Sequence, residues 1–332
     1  PWTMRPMSLA RIGVVLLGLT ALAACGGDDE GEPGRLRIAV VPKGTTHEFW
    51  KAIHAGALEA GEEFGAEILW KGPLREDDRS AQVQVIENFV IRGIDGLVLA
   101  PMDDTALVAP AREAAAAGIP VVVVDSDLQW DGRISFIATD NYLGGVLAAR
   151  DLAARLAGTE GRVILMRYQE GSASTMKREA GFLDTLEKEF PQLTVLSSNQ
   201  HAGATVEGAY QTAENLLLNH ADVDGVFCPN ESAAFGMLRA LQDSGRAGKV
   251  RFVGFDPSER MVAALQAGEM DAIVVQDPVA MGRMGVRTIV LHLQGKKVAS
   301  RIDTGVTLVT RDNMSQPEVA ALLAPDLSIL GD

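Results

Sequence analysis

The segment GIPVVVVDSD, residues 118–127, has four consecutive valines between a Gly-Ile-Pro turn signal and an Asp-Ser-Asp triplet. A short, uninterrupted apolar run bounded by such residues is typical of a strand that is buried on both faces. The segment DGLVLAP, residues 95–101, has the same character. Strands of this kind occur mainly in parallel sheets with helices on both sides, so these segments predict an α/β fold.

Strand-like and helix-like segments alternate through the rest of the chain. The predicted strands lie near residues 36–41, 66–70, 95–99, 120–124, 134–138, 162–167, 193–197, 224–228, 250–255, 271–275 and 304–309. Amphipathic helices are expected between most of them. So many strands rarely form one open sheet, and we therefore predict two doubly wound lobes, each with its own parallel sheet.

The amino-terminal residues have the features of an export signal. Arg5 and Arg11 precede an uncharged, mainly apolar run over residues 12–24, which is too short to span a bilayer but suits a signal peptide. The run leads into Leu-Ala-Ala-Cys, which resembles the lipobox of bacterial lipoproteins. We therefore expect a signal peptide over residues 1–24, lipidation of Cys25, a lipidated tether over residues 25–34, and anchoring in the cell envelope.

The composition argues against several classes of function. The chain has 30 Lys and Arg residues against 44 Asp and Glu residues, and loss of the signal peptide would remove two more positive charges. Nucleic-acid binding needs clustered basic residues, so we expect no nucleic-acid partner. Cys228 is the only cysteine besides Cys25, so no disulfide is expected. His47 and His54 lack the spacing of a helical metal-binding pair, and we expect no metal ion.

Sequence motifs for cofactor or catalytic chemistry are missing. The first strand is not followed by Gly-x-Gly-x-x-Gly, and the sequence contains neither a phosphate-binding loop nor a Gly-x-Ser-x-Gly elbow. We therefore expect neither a cofactor nor catalytic residues. Asp125 and Asp256 could still form the carboxylate pair of a carbohydrate hydrolase, and this alternative stays open because sequence does not give their separation.

Polar residues follow five of the predicted strands. They are Lys43, Asp125, Asn230, Asp256 and Gln276. Because the carboxyl ends of parallel strands share an edge, these side chains can converge on one cleft and bind the hydroxyls of a polyhydroxylated ligand. Phe49 and Trp50, in a chain with only 5% aromatic residues, could cover the apolar face of a sugar ring. Two alternatives stay open: Asp and Asn after strands commonly cap helices, and both rings could belong to the core.

Several segments resemble the type I periplasmic sugar-binding proteins of ABC importers, near the ribose and allose binders. They are GIPVVVVDSD, FIATDNYLGG, MKREAGF, DGVFCPNESAAFGMLRAL, VRFVGFDPS and AIVVQDP. The resemblance implies two doubly wound parallel-sheet lobes joined by a three-strand hinge. The N-terminal lobe would comprise residues 35–139 and 277–303, and the C-terminal lobe residues 140–276 and 304–330. Lactose-repressor effector domains share these segments, but here the export signal stands where a repressor needs its DNA-binding helices.

The resemblance also implies which residues contact the ligand. Those that match the family's contacts are Phe49, Trp50, Asp125, Arg178, Asn230, Asp256 and Gln276. His47 stands where the ribose binders have Asn, and Ser126 stands where they have Arg. The segments VPK, WKGP and VDSD resemble the binders of rhamnose and of a furanose-derived autoinducer, which implies that Lys43 and Asp127 belong to the pocket.

The function implied by the resemblance is non-catalytic. The protein would be a monomeric, extracytoplasmic solute-binding lipoprotein that captures a monosaccharide or related small polyol between its lobes and delivers it to an ABC permease. An alternative is the same fold acting as a sugar or signal receptor for a sensor kinase or chemoreceptor, since the pocket would be identical.

Overall fold

Strands and helices alternate along the chain as the sequence predicts. The computed structural model describes residues 1–3 and 34–331. Cys25 and almost all of the predicted signal peptide and tether therefore lie outside the described residues, and the α/β unit begins at Gly34. Among the described residues, no helix combines the length and hydrophobicity needed to cross a bilayer.

The N-terminal lobe is built on a six-stranded parallel sheet. Its strands are β1 (Arg37–Val41), β2 (Glu67–Trp70), β3 (Gly96–Leu99), β4 (Val121–Val124), β5 (Ser135–Ala138) and β11 (Arg301–Asp303). They lie in the order β11-β5-β4-β3-β1-β2. Its helices are α1 (Glu48–Phe64), α2 (Arg79–Arg92), α3 (Val108–Ala116) and α9 (Pro278–Leu293).

The four valines of β4 show why this sheet has helices on both faces. All four are buried. Val122 and Val124 pack in the core cluster that includes α1 and α9, whereas Val121 and Val123 pack in the cluster that includes α2 and α3. Successive side chains of a strand point to opposite faces, so an unbroken apolar run fits a sheet covered on both sides. The α/β prediction from this segment is confirmed.

The C-terminal lobe repeats the arrangement with a second six-stranded sheet. Its strands are β6 (Arg162–Arg167), β7 (Thr194–His201), β8 (Gly225–Phe227), β9 (Arg251–Phe255), β10 (Ala272–Val275) and β12 (Thr307–Val309), in the order β12-β10-β9-β8-β6-β7. Its helices are α4 (Asn141–Arg155), α5 (Ala173–Glu189), α6 (Val206–Asn219), α7 (Glu231–Asp243), α8 (Glu259–Ala267) and α10 (Pro317–Leu323).

One edge of the second sheet departs from the all-parallel prediction. The strand predicted over residues 304–309 corresponds to β12, whereas β11, which lies in the other lobe, was not predicted. β12 pairs antiparallel with β10. The few residues between β11 and β12 are too short for the crossover that a parallel strand would need, so the chain runs directly from one sheet into the other.

The chain passes between the lobes three times. The crossings lie between β5 and α4, between β10 and α9, and between β11 and β12. Asp140 and Asp277 cap the helices after the first two, accepting hydrogen bonds from the backbone N–H groups of Leu143 and Ala280. The final 3-10 turn, Ser328–Leu330, contacts α1 of the N-terminal lobe.

Candidate functional site

Eight of the ten predicted ligand residues line one small cavity between the lobes. They are Lys43, His47, Phe49, Trp50, Asp125, Arg178, Asn230 and Asp256. Gln276 joins them because its Nε2 donates a hydrogen bond of 2.8 Å to Asp256 Oδ1. The cavity has a volume of about 30 Å³. The structure thus brings the strand ends of both sheets to one place.

Asp125 and Asp256 occupy equivalent positions in the two lobes. Asp125 directly follows β4 and Asp256 directly follows β9, and both side chains are buried. Both have a φ of 61°, and among the described residues they are the only non-glycine residues with a positive φ. Such backbone conformations cost about 1–2 kcal/mol and concentrate at functional sites. Neither residue caps a helix, because Asp140 caps α4 and Ser258 caps α8.

Two amide oxygens in the cleft are buried without a hydrogen-bond partner among the described residues. They belong to Asn230 and Gln276. Asn230 precedes α7 but forms no cap hydrogen bond, and its Nδ2 instead donates to Ser232 Oγ at 3.0 Å. Both oxygens are therefore acceptors available to a hydroxyl group.

Arg178 of α5 lies between the two aspartates. Its Nη1 is 3.5 Å from Asp256 Oδ2, and its Nη2 is 4.0 Å from Asp125 Oδ1. Its Nε donates to Asn141 Oδ1 at 2.8 Å, and its guanidinium carbon lies 3.8 Å from the centre of the Phe255 ring. These contacts hold a buried guanidinium in one orientation, so it can serve both carboxylates or their ligand.

A glycine on α4 allows Arg178 to reach this position. A Cβ atom on Gly145 would lie 1.9 Å from the backbone oxygen of Arg178. No side chain fits there, so α4 and α5 pack with their backbones nearly in contact. This close packing places Arg178 beside Asn141 at the start of α4.

Lys43 supplies the cation next to Asp125. Its Nζ is 2.8 Å from Asp125 Oδ2, and it donates to Ser174 Oγ at 3.1 Å in the opposite lobe. Ser126 is short and accepts a hydrogen bond from the backbone N–H of Ser174 at 3.1 Å. A buried lysine that follows β1 thus lies beside Asp125.

Glu76, in the loop after β2, is a central residue that sequence reasoning missed. Its Oε1 accepts a hydrogen bond from Trp50 Nε1 at 2.6 Å and lies 2.5 Å from His47 Nδ1. Its Oε2 accepts a 2.8 Å hydrogen bond from the Tyr168 hydroxyl in the C-terminal lobe. Tyr168 directly follows β6, so the search for polar residues after strands could have found it. Glu76 lies in a run of charged residues, 75–79, which is typical of a solvated loop and gave no such signal.

The Glu76–His47 contact is a buried ion pair. Burial by itself would raise the pKa of Glu76, but the charge of His47 and its hydrogen bond lower that pKa to about 2. Burial would lower the pKa of His47, but Glu76 raises it to about 9. Both groups are therefore charged at neutral pH.

Phe49 and Trp50 belong both to the core and to the cleft. Trp50 is 3% exposed and Phe49 is 9% exposed, and both pack in the cluster formed with α9. The two rings meet edge to face, with centroids 4.9 Å apart. Both also line the cavity, so a position in the core does not prevent either ring from facing the cleft.

Glu231 at the start of α7 reaches across the cleft to the start of α1. The N-cap residue of α1, His47, makes no side-chain cap hydrogen bond, and the backbone N–H of Phe49 instead donates to Glu231 Oε2 at 3.4 Å. Burial raises the pKa of Glu231 to about 7 and that of Asp256 to about 6. The cleft is thus rich in buried carboxyl groups.

Asp127 lies outside this cluster, in contrast to what the resemblance implied. Its carboxylate is 3.3 Å from Arg133 Nη2 and 3.4 Å from Lys177 Nζ. It does not line the cavity. The Asp127 side chain is 28% exposed, whereas that of Asp125 is buried.

Comparison with known proteins places these features in a family. Residues 38–297 match the periplasmic binding protein domain. The chain belongs to this family. It is 30% identical over 296 residues to a D-ribose/D-allose-binding protein of Pseudomonas aeruginosa, a match that covers 84% of this chain and 90% of the relative. It is 26% identical over 308 residues to a ribose import binding protein of Bacillus subtilis, covering 90% and 97% of the two chains.

Solved structures show the same periplasmic binding protein fold. A carbohydrate transporter solute-binding protein from Agrobacterium radiobacter, in complex with D-arabinose, superposes with a TM-score of 0.85 at 32% identity and covers 88% of this chain and 100% of its own. A solute-binding protein from Agrobacterium vitis with bound D-fucose gives 0.83 at 36% identity, covering 86% and 99%. These relatives are substrate-binding proteins of transporters and not enzymes.

Proposed function

We propose that this protein captures a neutral monosaccharide between its lobes and delivers it to an ABC permease. The observation that carries the proposal is the pairing of Asp125 and Asp256. Each follows a central strand of its own sheet in a left-handed conformation, and Arg178 lies between them. A carboxylate can accept hydrogen bonds from two neighbouring hydroxyls, so one ring can engage both lobes at once.

The surrounding groups complete a site for a sugar. The free amide oxygens of Asn230 and Gln276 accept further hydroxyl protons, and Phe49 and Trp50 supply an apolar wall. Each cation among the residues that line the cleft already pairs with a carboxylate: His47 with Glu76, Lys43 with Asp125 and Arg178 with Asp256. A sugar acid or a sugar phosphate would therefore find no cation available for its negative charge. The ligand class is therefore a neutral pentose, hexose or deoxyhexose.

Binding requires the lobes to separate and close. A cavity of about 30 Å³ holds roughly two water molecules, far less than a sugar ring. In this closed arrangement the charged side chains bond to one another, and a ligand would replace part of those contacts. We propose that the lobes, residues 35–139 with 277–303 and residues 140–276 with 304–330, rotate about the three crossings. Four or five hydrogen bonds of roughly 1.5–3 kcal/mol each, less closure costs, suit an affinity near micromolar.

Isothermal titration calorimetry with pentoses, hexoses and deoxyhexoses tests the proposal. Asp125→Ala should weaken binding of the best sugar by roughly 2–4 kcal/mol, because hydroxyls are left unpaired in a closed cleft. Asp131→Ala is the control, because Asp131 lies six residues away in the same lobe and is exposed, and it should leave affinity unchanged. Equal affinity of both variants, or no heat with any sugar, would contradict the proposal.

The location and partners also belong to the proposal. A lipid on Cys25 would hold a monomeric protein at the cell envelope, facing the permease. Cys25→Ser should then abolish detergent-phase partitioning in the native host while leaving sugar binding intact. Unchanged partitioning would contradict the proposed lipid anchor but not the proposed sugar binding.

A further inference from the structure

A second cavity adjoins the sugar cleft on the other side of Phe49. Its volume is about 160 Å³. Phe49 and Asp256 line both cavities, and Gln276 lines the second one while bonding to Asp256. The two cavities are therefore neighbours that share walls.

The lining of the second cavity is mainly apolar. Its residues with apolar side chains outnumber polar ones nine to five. Ala52 comes from α1, Pro257 from the loop after β9, and Leu323 and Leu327 from the carboxyl-terminal segment. Asp256 and Gln276 are buried beside the sugar cleft, whereas Glu48 and Glu259 are exposed to solvent. A hydroxyl buried against the apolar part would lose its hydrogen bonds to water without replacement.

The walls come from both lobes. Ala52 and Phe49 belong to the N-terminal lobe and Pro257 to the C-terminal lobe. Leu323 ends α10, which packs on the core of the C-terminal lobe, and the following 3-10 turn contacts α1. The cavity is therefore complete when the lobes are together, and closure over a sugar buries whatever occupies it.

We propose that this cavity receives the apolar aglycone of an alkyl or aryl glycoside whose sugar ring lies in the cleft. This inference rests on the proposed function. A cavity of about 150 Å³ lined by apolar side chains accommodates a benzene molecule, so a phenyl or butyl group fits the volume here. Each CH₂ group that is buried should tighten binding about fourfold.

The test compares glycosides with their parent sugar by titration calorimetry. The probes are the best-bound free sugar and its methyl, butyl and phenyl glycosides, in both anomeric forms. At least one anomer of the butyl or phenyl glycoside should bind ten or more times more tightly than the free sugar. Leu323→Trp, which fills the cavity, should remove this gain and leave affinity for the free sugar within about twofold.

Leu218→Trp is the matched control, because Leu218 lies on α6 and is 78% exposed. It should keep the gain for the glycosides. Unaltered free-sugar binding shows that each variant is folded. If free sugars bind but no glycoside binds more tightly, the proposed aglycone site is wrong. The same holds if Leu323→Trp still binds the glycosides more tightly than the free sugar. Neither result contradicts the proposed sugar site. If neither free sugars nor glycosides bind, both proposals fail.

Discussion

The hydroxyl of Tyr168 donates a 2.8 Å hydrogen bond to Glu76 and so joins the two lobes directly. Both groups are buried. Glu76 also receives the indole N–H of Trp50 at 2.6 Å, so the residue that orients a wall of the cleft also holds the lobes together. The carboxylate of Glu76 thus couples closure of the lobes to the orientation of the Trp50 ring.

Tyr168→Phe should weaken sugar binding by about 1.5–3 kcal/mol, the range for a hydrogen bond to a charged group. Because this hydrogen bond joins the lobes, its loss should destabilise the closed arrangement and leave the stability of each lobe unchanged. Calorimetry measures the affinity, and small-angle scattering should show a larger mean radius for the variant without ligand.

Tyr210→Phe is the control for that substitution. The Tyr210 hydroxyl lies 2.9 Å from carboxylate oxygens of Glu214 and Asp243, both in the same lobe, and can donate its one hydrogen to either. This variant should match the wild type in affinity and radius. If Tyr168→Phe also matched it, the contact with Glu76 would have no role in closure.

Trp50→Ala should lower both stability and affinity, because the ring packs in the core and lines the cleft. We expect a loss of about 3–5 kcal/mol in the free energy of unfolding, measured by urea denaturation. Trp50→Phe keeps most of the packing but removes one hydrogen-bond donor to Glu76. It should lower the free energy of unfolding by about 1–3 kcal/mol. Trp130→Phe, in a half-buried position away from the cleft, should leave sugar affinity unaltered. A Trp50→Ala variant with normal affinity would exclude the ring as a cleft wall.

The His47–Glu76 pair should make stability fall at alkaline pH. The pKa of His47 rises from 6.5 in the unfolded chain to about 9 in the folded protein. The folded state therefore holds the proton more tightly, and this stabilisation is fully present below pH 6.5 and lost as pH rises through about 9. The difference of about 2.5 pKa units corresponds to on the order of 3 kcal/mol.

Urea denaturation at several pH values from 6 to 10 measures this loss. His47→Gln should flatten the curve around pH 9. In the wild type the carboxyl of Glu231, whose pKa burial raises to about 7, lowers stability between pH 4.5 and 7, which is outside this alkaline range. His54→Gln is the control, since burial lowers the pKa of His54 and its ionisation acts in the opposite direction. An equal alkaline loss in wild type and His47→Gln would show that the pair does not form.

Local patterns predicted most of the secondary structure. The valines of β4 determine a strand buried on both faces whatever surrounds them, because the information lies in consecutive residues. Lys43, Asp125, Asn230, Asp256 and Gln276 could be grouped from the sequence because parallel strands end at a common edge. The strand over residues 304–309 was predicted and corresponds to β12, but β11 and the antiparallel direction of β12 were missed, because no local pattern marks where the chain changes from one sheet to the other.

Burial of a charged residue is a different kind of property. The run Arg75, Glu76, Asp77, Asp78 and Arg79 contains five charges, and nothing local distinguishes Glu76 from its neighbours. It is buried because Trp50, 26 residues away, and Tyr168, 92 residues away, meet it in the closed structure. Asp127 is the opposite case. It lies only two residues from Asp125, but its carboxylate pairs with Arg133 and Lys177 outside the cleft. The sequence by itself determined the two lobes and the polar residues at the common edge of each sheet, whereas only the tertiary structure decided which charged groups share the cleft, because desolvation depends on partners that are distant in the chain.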